Sequence, residues 1–444
     1  MKLLFIYPPF CTPASPPYAI TRLYSFLKNN LNEIHKLNIL DLNLYFHKLK
    51  FEKPTKQTLT SFSQESNKVY SYNNNLVVEG KNPEFFDECL NEILKFKPEC
   101  VAFSLIYSSQ CFYTLALIKE LKKLNIKTII GGPAVNKKLI EIADYYLKDE
   151  IALYDFISKE NSYNDSEKLN KLNYNSILDY SIYKYYFVPE LVIPLKTTTC
   201  CFYQQCTFCT HHGHGLYQEF PLENIKESII KSKAKFVFFI DDMFSKKRLL
   251  ELAKLVKPLN IKWMCQLKPT KEFDKETLKI LYDSGLRLII WGVESGNNRI
   301  LKLMKKGTNI EDMKFVLNYS KEVGISNVLY IMFGFPTETE KEFIETINFL
   351  KENDKNIDLI STSVFGLQKE SYIFSHPEEF KIEKIFEEER TVLEPKITYI
   401  LKEGISQNDA KKFRDKYRKT LEKINKFPKV YNFFREWMLV ELEK

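Results

Sequence analysis

The feature that most constrains the fold of this chain is a repeated alternation of short apolar segments with amphipathic segments. In the first part of the chain, the apolar segments lie at 2–7, 37–42, 100–105 and 127–130, and helical patterns lie between them at 20–29, 83–96 and 111–124. Strands that alternate with helices predict a parallel sheet with helices on both faces. We therefore predict that residues 1–150 form a doubly wound, Rossmann-like α/β domain, with a loop at the polar stretch 52–76.

A second alternation begins near residue 191. Its candidate strands lie at 191–198, 235–240, 261–267, 287–293, 327–333 and 358–365. Six β/α units suit an incomplete TIM-type barrel, (β/α)6, better than an eight-fold one, and the reactive groups of such barrels lie on the loops that follow the strands. The chain is thus predicted to have four regions, namely a Rossmann-like domain at 1–150, a polar linker at 151–190, the partial barrel at 191–385 and a charged helical extension at 386–444.

Composition and charge narrow the class of protein. Apolar residues make up 44% of the 444 residues, which is enough for sizeable cores. The net charge of +8 comes from 65 basic and 57 acidic residues that are interspersed, which argues against nucleic-acid binding because such proteins concentrate basic charge in a patch. No apolar run reaches the ~18–20 residues of a membrane span. The apolar start stops at Pro8 and Pro9, which indicates a strand rather than a signal peptide, so we expect a cytoplasmic protein with reduced cysteines.

A cluster of cysteines is the clearest chemical signal. Four of the nine cysteines fall within ten residues, directly after the first barrel strand: Cys200, Cys201, Cys206 and Cys209. The spacing of Cys206 and Cys209 suits either zinc or an iron–sulfur cluster. A zinc-stabilised binding module is an alternative, because three histidines follow at once: His211, His212 and His214. The absence of a second cysteine pair elsewhere, and the position at the end of a barrel strand, favour an iron–sulfur cluster.

The same segment carries a family resemblance. Residues 201–209 read Cys-Phe-Tyr-Gln-Gln-Cys-Thr-Phe-Cys and resemble the Gly-Cys-aromatic-Trp-x-x-Cys-x-Phe-Cys loop of radical S-adenosylmethionine (SAM) enzymes that have an amino-terminal cobalamin-binding domain. Here Cys200 stands in place of Gly and Tyr203 in place of Trp. The resemblance implies that Cys201, Cys206 and Cys209 hold a 4Fe-4S cluster, at which SAM is reductively cleaved to a 5′-deoxyadenosyl radical. A spacing that uses Cys200 as the first ligand stays open.

Further matches follow successive strands of the predicted barrel. They are Asp241-Asp242 after the second strand, Gln266 and Lys268 after the third, Gly-Val-Glu-Ser-Gly at 292–296 and Gly-Phe-Pro-Thr-Glu-Thr at 334–339. By the resemblance, the acidic pair meets the SAM amino group, Gln266 and Lys268 the carboxylate, and Glu294 the ribose hydroxyls. The SAM-binding residues that it implies are Phe208, Asp241, Asp242, Gln266, Lys268, Glu294, Ser295 and Gly334.

The amino-terminal domain resembles the cobalamin-binding fold. The residues at its strand ends that the resemblance associates with cobalamin are Pro9, Ser104, Gly131 and Gly132. The usual histidine motif after the first strand is replaced by Pro-Pro-Phe-Cys, and His35 and His47 stand in the wrong places for a ligand below the cobalt. Cys11 is a candidate contact to the cofactor, with a buried thiol as the simpler interpretation.

These observations predict a radical SAM enzyme, with a cobalamin-dependent methyltransferase at an unactivated carbon or phosphorus as the favoured activity. In that chemistry one SAM methylates cobalamin and another supplies the radical. The alternative is a radical SAM enzyme with a degenerate domain that binds no cobalamin and catalyses another radical reaction. A methylthiotransferase fits less well, because no matching amino-terminal cysteine triad is present. The expected partners are a small-molecule or peptide substrate and an electron donor such as flavodoxin or ferredoxin.

Overall fold

In a computed structural model, the described residues are 1–31, 35–159, 176–213 and 215–444. His214 and residues 160–175 of the predicted linker lie outside them. The described chain divides into two compact units. The first unit comprises Met1–Leu191, Glu227–Lys233 and Glu389–Pro395, and the second comprises Val192–Lys226, Ala234–Glu388 and Lys396–Lys444.

The first unit is built on a parallel sheet. Its strands are β1 (Lys2–Tyr7), β2 (Lys36–Asp41), β3 (Cys100–Ser104), β4 (Lys127–Gly131) and β5 (Tyr145–Tyr146). Its helices are α1 (Tyr18–Asn30), α2 (Leu42–Lys50), α3 (Leu59–Val78), α4 (Phe86–Leu94), α5 (Gln110–Lys123), α6 (Lys137–Ile142) and α7 (Glu150–Ser158). The strand order β2-β1-β3-β4-β5 places the topological switch between β1 and β3, and ligands of such sheets bind beside the switch at the carboxyl ends of the strands.

The two faces of this sheet carry separate hydrophobic cores. Leu4 and Ile6 of β1 belong to one core together with residues of α2, α4 and α5. Leu3 and Phe5 belong to the other, with residues of α1 and α7. Because successive side chains of a strand point to opposite faces, this division confirms the doubly wound architecture.

Two elements of this unit differ from the prediction. Residues 59–76 of the predicted loop belong to the helix α3, which extends to Val78. The buried stripe of α3 includes Ser66 and Asn73 besides Phe62 and Val77, so no apolar period reveals it. Ser66 donates to the Phe62 carbonyl and Asn73 to the Val69 carbonyl, which satisfies these polar groups without water. The start of the predicted linker likewise forms α7.

The second unit contains a six-stranded parallel sheet. Its strands are β6 (Val192–Leu195), β7 (Phe236–Phe239), β8 (Lys262–Leu267), β9 (Leu286–Glu294), β10 (Ser326–Phe333) and β11 (Leu359–Val364). The helices along this part of the chain are α8 (Leu222–Ser232), α9 (Lys246–Val256), α10 (Lys275–Asp283), α11 (Asn298–Leu303), α12 (Ile310–Glu322) and α13 (Glu340–Glu352). The strands pair in sequence order, from β6 at one edge to β11 at the other. This open series of β/α units confirms the partial barrel.

The carboxyl-terminal part is more than a helical extension. A short helix α14 (Tyr372–Ser375) leads to an antiparallel hairpin, β12 (Ile382–Glu388) with β13 (Lys396–Leu401). The helices α15 (Gln407–Lys416), α16 (Arg418–Ile424) and α17 (Arg435–Glu441) follow. The prediction of helix from residue 386 was therefore wrong over the hairpin, whose charged, exposed side chains hide the strand pattern. Within the described residues, no helix combines the length and hydropathy that a bilayer crossing requires.

Candidate functional site

The cysteine segment begins where β6 ends, and a buried carboxylate holds its first residues. Asp241, which follows β7, accepts hydrogen bonds from the Thr197 backbone N–H at 2.9 Å and from the hydroxyls of Thr197 and Thr198 at 3.1 and 2.8 Å. Asp241 is 2% exposed, and this burial raises the pKa of its carboxyl to about 6. These contacts change the role predicted for Asp241. Its oxygens bind the protein itself, which leaves Asp242 as the more exposed carboxylate of the pair.

Three of the four clustered thiols lie close to one another. Cys201, Cys206 and Cys209 are half-buried. Burial raises the pKa of Cys206 to about 11, and the charges of Cys209 and Cys201 act in the same direction. Burial also raises the pKa of Cys209, on which the charge of Cys201 acts as well. Three adjacent thiols whose charges repel one another suit a site where a cationic centre stabilises the thiolates.

Cys200 lies in a different environment from its neighbour Cys201. Its side chain is buried at 7% exposure, and its sulfur accepts a hydrogen bond from the Gln204 side-chain amide at 3.3 Å. The charge of Cys201 acts on both Cys206 and Cys209. The geometry thus separates two cysteines that are adjacent in sequence.

The histidines after the cysteines point to other partners. The His211 ring nitrogen lies 3.5 Å from the Asp242 carboxylate, and the His212 ring lies 4.9 Å from the ring of Tyr372. Among the residues that the structure describes, no three His, Cys, Asp or Glu side chains converge as they would around a single metal ion.

A turn after α11 supports the cysteine loop and supplies a residue that the sequence did not reveal. The Thr207 N–H donates to the Met304 carbonyl at 3.0 Å, and the Thr207 hydroxyl donates to the Leu303 carbonyl at 3.0 Å. Two residues further on, the Lys306 ammonium lies 2.8 Å from the Glu294 carboxylate, with the two side chains 12% and 11% exposed. Gly292 leaves room for this lysine, because a Cβ there would lie 2.7 Å from Nζ of Lys306.

Lys306 lies between the predicted ribose contact and the thiols. Burial acts to lower the pKa of its ammonium, but the charges of Glu294, Cys206 and Cys209 outweigh burial and raise it. A second buried ammonium, Lys268, is 8% exposed, and burial lowers its pKa although the charge of Cys206 opposes that effect. Two cationic groups thus lie beside the cysteines.

Asp242 is also placed near the thiols. Its carboxylate pairs with Lys196 at 3.1 Å and with His211 at 3.5 Å. Burial acts to raise the pKa of Asp242, but His211 and Lys196 lower it to about 2. Asp242 therefore stays ionised and can accept a hydrogen bond from an ammonium.

The other side chains predicted to contact SAM differ in burial and in the contacts that they make within the protein. Phe208 packs against a hydrophobic core at the ends of β10 and β11, and the Lys306 ammonium lies 5.7 Å from its ring centroid. Gln266 is half-buried near the end of β8. Ser295 is fully buried and faces the Thr346 hydroxyl of α13 at 3.3 Å. At Gly334, φ is +72° and a Cβ would lie 2.6 Å from the Ala410 side chain, so this glycine is required by packing.

The carboxyl edge of the first unit's sheet carries the residues predicted to contact cobalamin. Pro9 and Ser104 are buried, whereas Gly131 and Gly132 are half-buried. With φ at +107°, Gly132 approaches the backbone of Leu105 so closely that a Cβ would collide with its carbonyl. The exposed residues at this edge are Tyr107, Ser108 and Pro133. A ligand at this edge would meet the exposed residues of the loops after β3 and β4.

No histidine of this unit is available at that edge among the described residues. The two ring nitrogens of His47 contact the Asn43 carbonyl at 2.6 Å and the Tyr70 hydroxyl at 2.5 Å. His35 precedes β2, at the opposite edge of the sheet. Cys11 is half-buried, and its thiol lies 3.4 Å from the Tyr7 hydroxyl. A ligand at this edge would therefore have no histidine donor from His35 or His47.

Comparison with known proteins identifies the second unit. Residues 195–350 match the Radical SAM superfamily. The chain carries a radical SAM domain. This match covers the cysteine loop and five strand ends, and it confirms the prediction of a radical SAM domain, a class of domain whose cofactors are a 4Fe-4S cluster and SAM.

The similarity extends beyond the radical SAM domain. An uncharacterized methyltransferase of Pyrococcus horikoshii is 24% identical over 61% of this chain and 67% of its own length. The methyltransferase TsrM from Kitasatospora setae, solved with cobalamin and a [4Fe-4S] cluster, matches 92% of this chain and 87% of its own with a TM-score of 0.66 at 14% identity. The cobalamin-dependent SAM radical enzyme OxsB matches 100% of this chain and 71% of its own, with a TM-score of 0.61 at 15% identity. The fold of both units is thus that of the predicted subgroup.

Proposed function

We propose that this radical SAM enzyme holds its 4Fe-4S cluster on Cys201, Cys206 and Cys209 and is a cobalamin-dependent methyltransferase. The observation that carries the proposal is the group of three half-buried thiols after β6, next to two buried ammonium groups and the paired carboxylate of Glu294. Three cysteines leave one iron of the cluster for SAM. When bound, the cluster and SAM supply reductive cleavage of SAM to methionine and a 5′-deoxyadenosyl radical.

The chain's own residues then bind and orient SAM. Asp242 accepts hydrogen bonds from the SAM amino group, and Lys306 and Lys268 neutralise the carboxylate. Glu294 accepts hydrogen bonds from the ribose hydroxyls, and Phe208 borders the adenosyl group. Asp241 holds the start of the cysteine loop through Thr197 and Thr198. Groups fixed in this way before SAM arrives reduce the free-energy cost of orienting it.

Cobalamin binding rests on the fold shared with TsrM and OxsB and on the edge of the first sheet. The exposed loops at 107–108 and 131–133 would lie against the cofactor. The buried Pro9 and Ser104 would shape the edge from within the protein. Methyl transfer to an unactivated carbon or phosphorus is the activity that this pair of cofactors supports.

The proposal includes partners and a compartment. All nine cysteines are free thiols, which suits a reducing compartment such as the cytoplasm. Reductive cleavage of SAM needs one electron for each event, and a flavodoxin or ferredoxin is the proposed donor. A small molecule or a peptide is the proposed substrate.

Anaerobic purification and reconstitution test the proposal. Iron, sulfide, zinc and cobalamin are assayed, and SAM is then added with dithionite. The expected result is about four irons and four sulfides per chain, retained cobalamin after gel filtration, and 5′-deoxyadenosine formed with time. Bound zinc without 5′-deoxyadenosine would contradict the whole proposal.

One observation favours a second candidate, a radical SAM enzyme without cobalamin. Phe10, directly after Pro9, is 1% exposed and packs against Phe46, Tyr70 and Tyr113 with ring centroids 4.8 to 5.6 Å apart. The loop after β1 is therefore filled by the protein's own side chains. Formation of 5′-deoxyadenosine by protein that retains no added hydroxocobalamin would select this candidate.

A further inference from the structure

Tyr203 joins three segments that are far apart in sequence. It lies in the cysteine loop, and its hydroxyl donates to the Lys305 carbonyl at 2.8 Å. The ammonium of Lys268, at the end of β8, lies 3.5 Å from the centroid of the Tyr203 ring. At Gly307, where φ is +67°, a Cβ would lie 2.9 Å from the Tyr203 ring and 3.1 Å from the Lys268 ammonium.

These three contacts have a common consequence for two lysines. Lys305 and Gly307 flank Lys306, so the hydroxyl bond ties the Lys306 turn to the cysteine loop. The face of an aromatic ring attracts an ammonium at this distance, most strongly where water is excluded, and Lys268 is 8% exposed. The ring therefore holds Lys268 at a fixed place beside the loop, and Gly307 leaves the space in which ring and ammonium meet.

A flexible lysine side chain needs such a contact. Lys has four rotatable bonds, and ordering them has an entropic cost. Within the described residues, no carboxylate lies within 4 Å of the Lys268 ammonium, whereas Lys306 has Glu294. Tyr203 is thus the contact that orders Lys268.

We propose that Tyr203 is a positioning residue that sets Lys268, and through the Lys305 carbonyl also Lys306, in the place where they meet the carboxylate of SAM. This inference rests on the proposed SAM site. It concerns SAM binding and not cluster assembly, because Tyr203 contacts the lysine and the turn without being a ligand.

The test compares Tyr203→Leu, Tyr203→Phe and a matched control, Phe202→Leu, in anaerobically reconstituted protein. Phe202 is the neighbouring aromatic of the same loop, but it is 36% exposed and its ring faces Tyr217 at 6.2 Å. SAM is titrated into the reduced protein, and the change in the electron paramagnetic resonance spectrum of the cluster gives its affinity. Iron content is measured in parallel.

We expect full iron content in all three variants. SAM affinity should fall about tenfold in Tyr203→Leu, which loses ring and hydroxyl, and about threefold in Tyr203→Phe, which keeps the ring under Lys268. Phe202→Leu should bind SAM as the unmodified protein does. Equal SAM affinity in Tyr203→Leu and the unmodified protein would overturn the inference, and so would an equal loss in Phe202→Leu.

A double-mutant cycle with Lys268→Met shows whether Tyr203 acts through the lysine. If it does, Tyr203→Leu adds to the loss already caused by Lys268→Met no more than the roughly threefold loss assigned to its hydroxyl, because coupled residues are not additive. Fully additive losses would overturn the inference. If the unmodified protein shows a cluster but no spectral change with SAM, the proposed function fails instead. Should Tyr203→Leu lose its iron, Tyr203→Phe decides instead: SAM binding about threefold weaker is expected, and SAM affinity equal to that of the unmodified protein would overturn the inference.

Discussion

Both sheets carry polar side chains at the carboxyl ends of their strands, but the partners of these side chains differ between the two sheets. At the edge of the five-stranded sheet, the Asp41 carboxylate accepts a hydrogen bond from the Tyr186 hydroxyl at 2.5 Å, and His47 contacts Asn43 and Tyr70. At the edge of the six-stranded sheet, three thiols lie together beside Lys268 and Lys306.

The difference shows which of the two edges satisfies its polar groups within the protein and which needs a ligand to do so. A buried polar group without a partner costs free energy, so an edge whose polar groups bond to one another is stable alone. The second edge gathers several thiols and ammonium groups, and Glu294 is the carboxylate that pairs with Lys306. The polar groups of this edge are better satisfied when a ligand that contains a metal and an anionic group binds there. We therefore expect mutations at the second edge to change ligand binding and mutations at the first edge to change stability.

The largest effect should come from the thiols. Cys201→Ala should lose iron and reduce 5′-deoxyadenosine formation at least ~100-fold, because removal of a cluster ligand removes the electron source. Cys200→Ala, the matched neighbour, should keep both within about twofold, since the Cys200 sulfur is buried and accepts a hydrogen bond from Gln204. Retained activity in Cys201→Ala together with its loss in Cys200→Ala would exchange the assigned ligands.

The ion pair of Lys306 and Glu294 allows a test of how the two charges at the second edge stabilise each other. Lys306→Met leaves the Glu294 carboxylate buried without its partner, and loss of one member of such a pair costs about 3 kcal/mol. The double variant Lys306→Met with Glu294→Gln should recover most of that stability in urea unfolding but should bind SAM as weakly as the single variant. A double variant that is as unstable as Lys306→Met would show that the lysine stabilises the protein by packing.

Adjacent aspartates provide the next test. Asp241→Asn replaces a carboxylate that accepts bonds from Thr197 and Thr198, so we expect reduced iron content after reconstitution. Asp242→Asn should keep its iron but bind SAM about tenfold less tightly, the usual size for a hydrogen bond to a charged group. The two effects are read by iron analysis and by SAM titration, and interchanged results would contradict the assignment.

Sequence patterns predicted strands better than they predicted side-chain partners. The strand predicted at 327–333 is β10, Ser326–Phe333, because an apolar run between helices is a local signal. Asp241 and Asp242 are equivalent in sequence, and only the register of β7 beside β6 turns one of them toward Thr197. In sequence, Lys306 resembles any surface lysine, and only the fold shows that Gly292, fourteen residues earlier, leaves space for it. Contacts of this kind depend on packing that no local pattern encodes.

At the first edge, the expected effect is a loss of folding stability as the pH falls, with no change in ligand binding. Burial lowers the pKa of His47 from 6.5 to about 4. Below pH 6.5 the unfolded chain therefore binds a proton that the folded chain does not, and stability is lost as the pH falls from 6.5 to 4, by about 3 kcal/mol at most. His47→Gln should lack this contribution. The measurement is hydrogen-exchange protection of Leu42–Lys50, corrected for the intrinsic pH dependence of exchange. An equal decline of protection in both proteins would show that His47 is not the group that titrates.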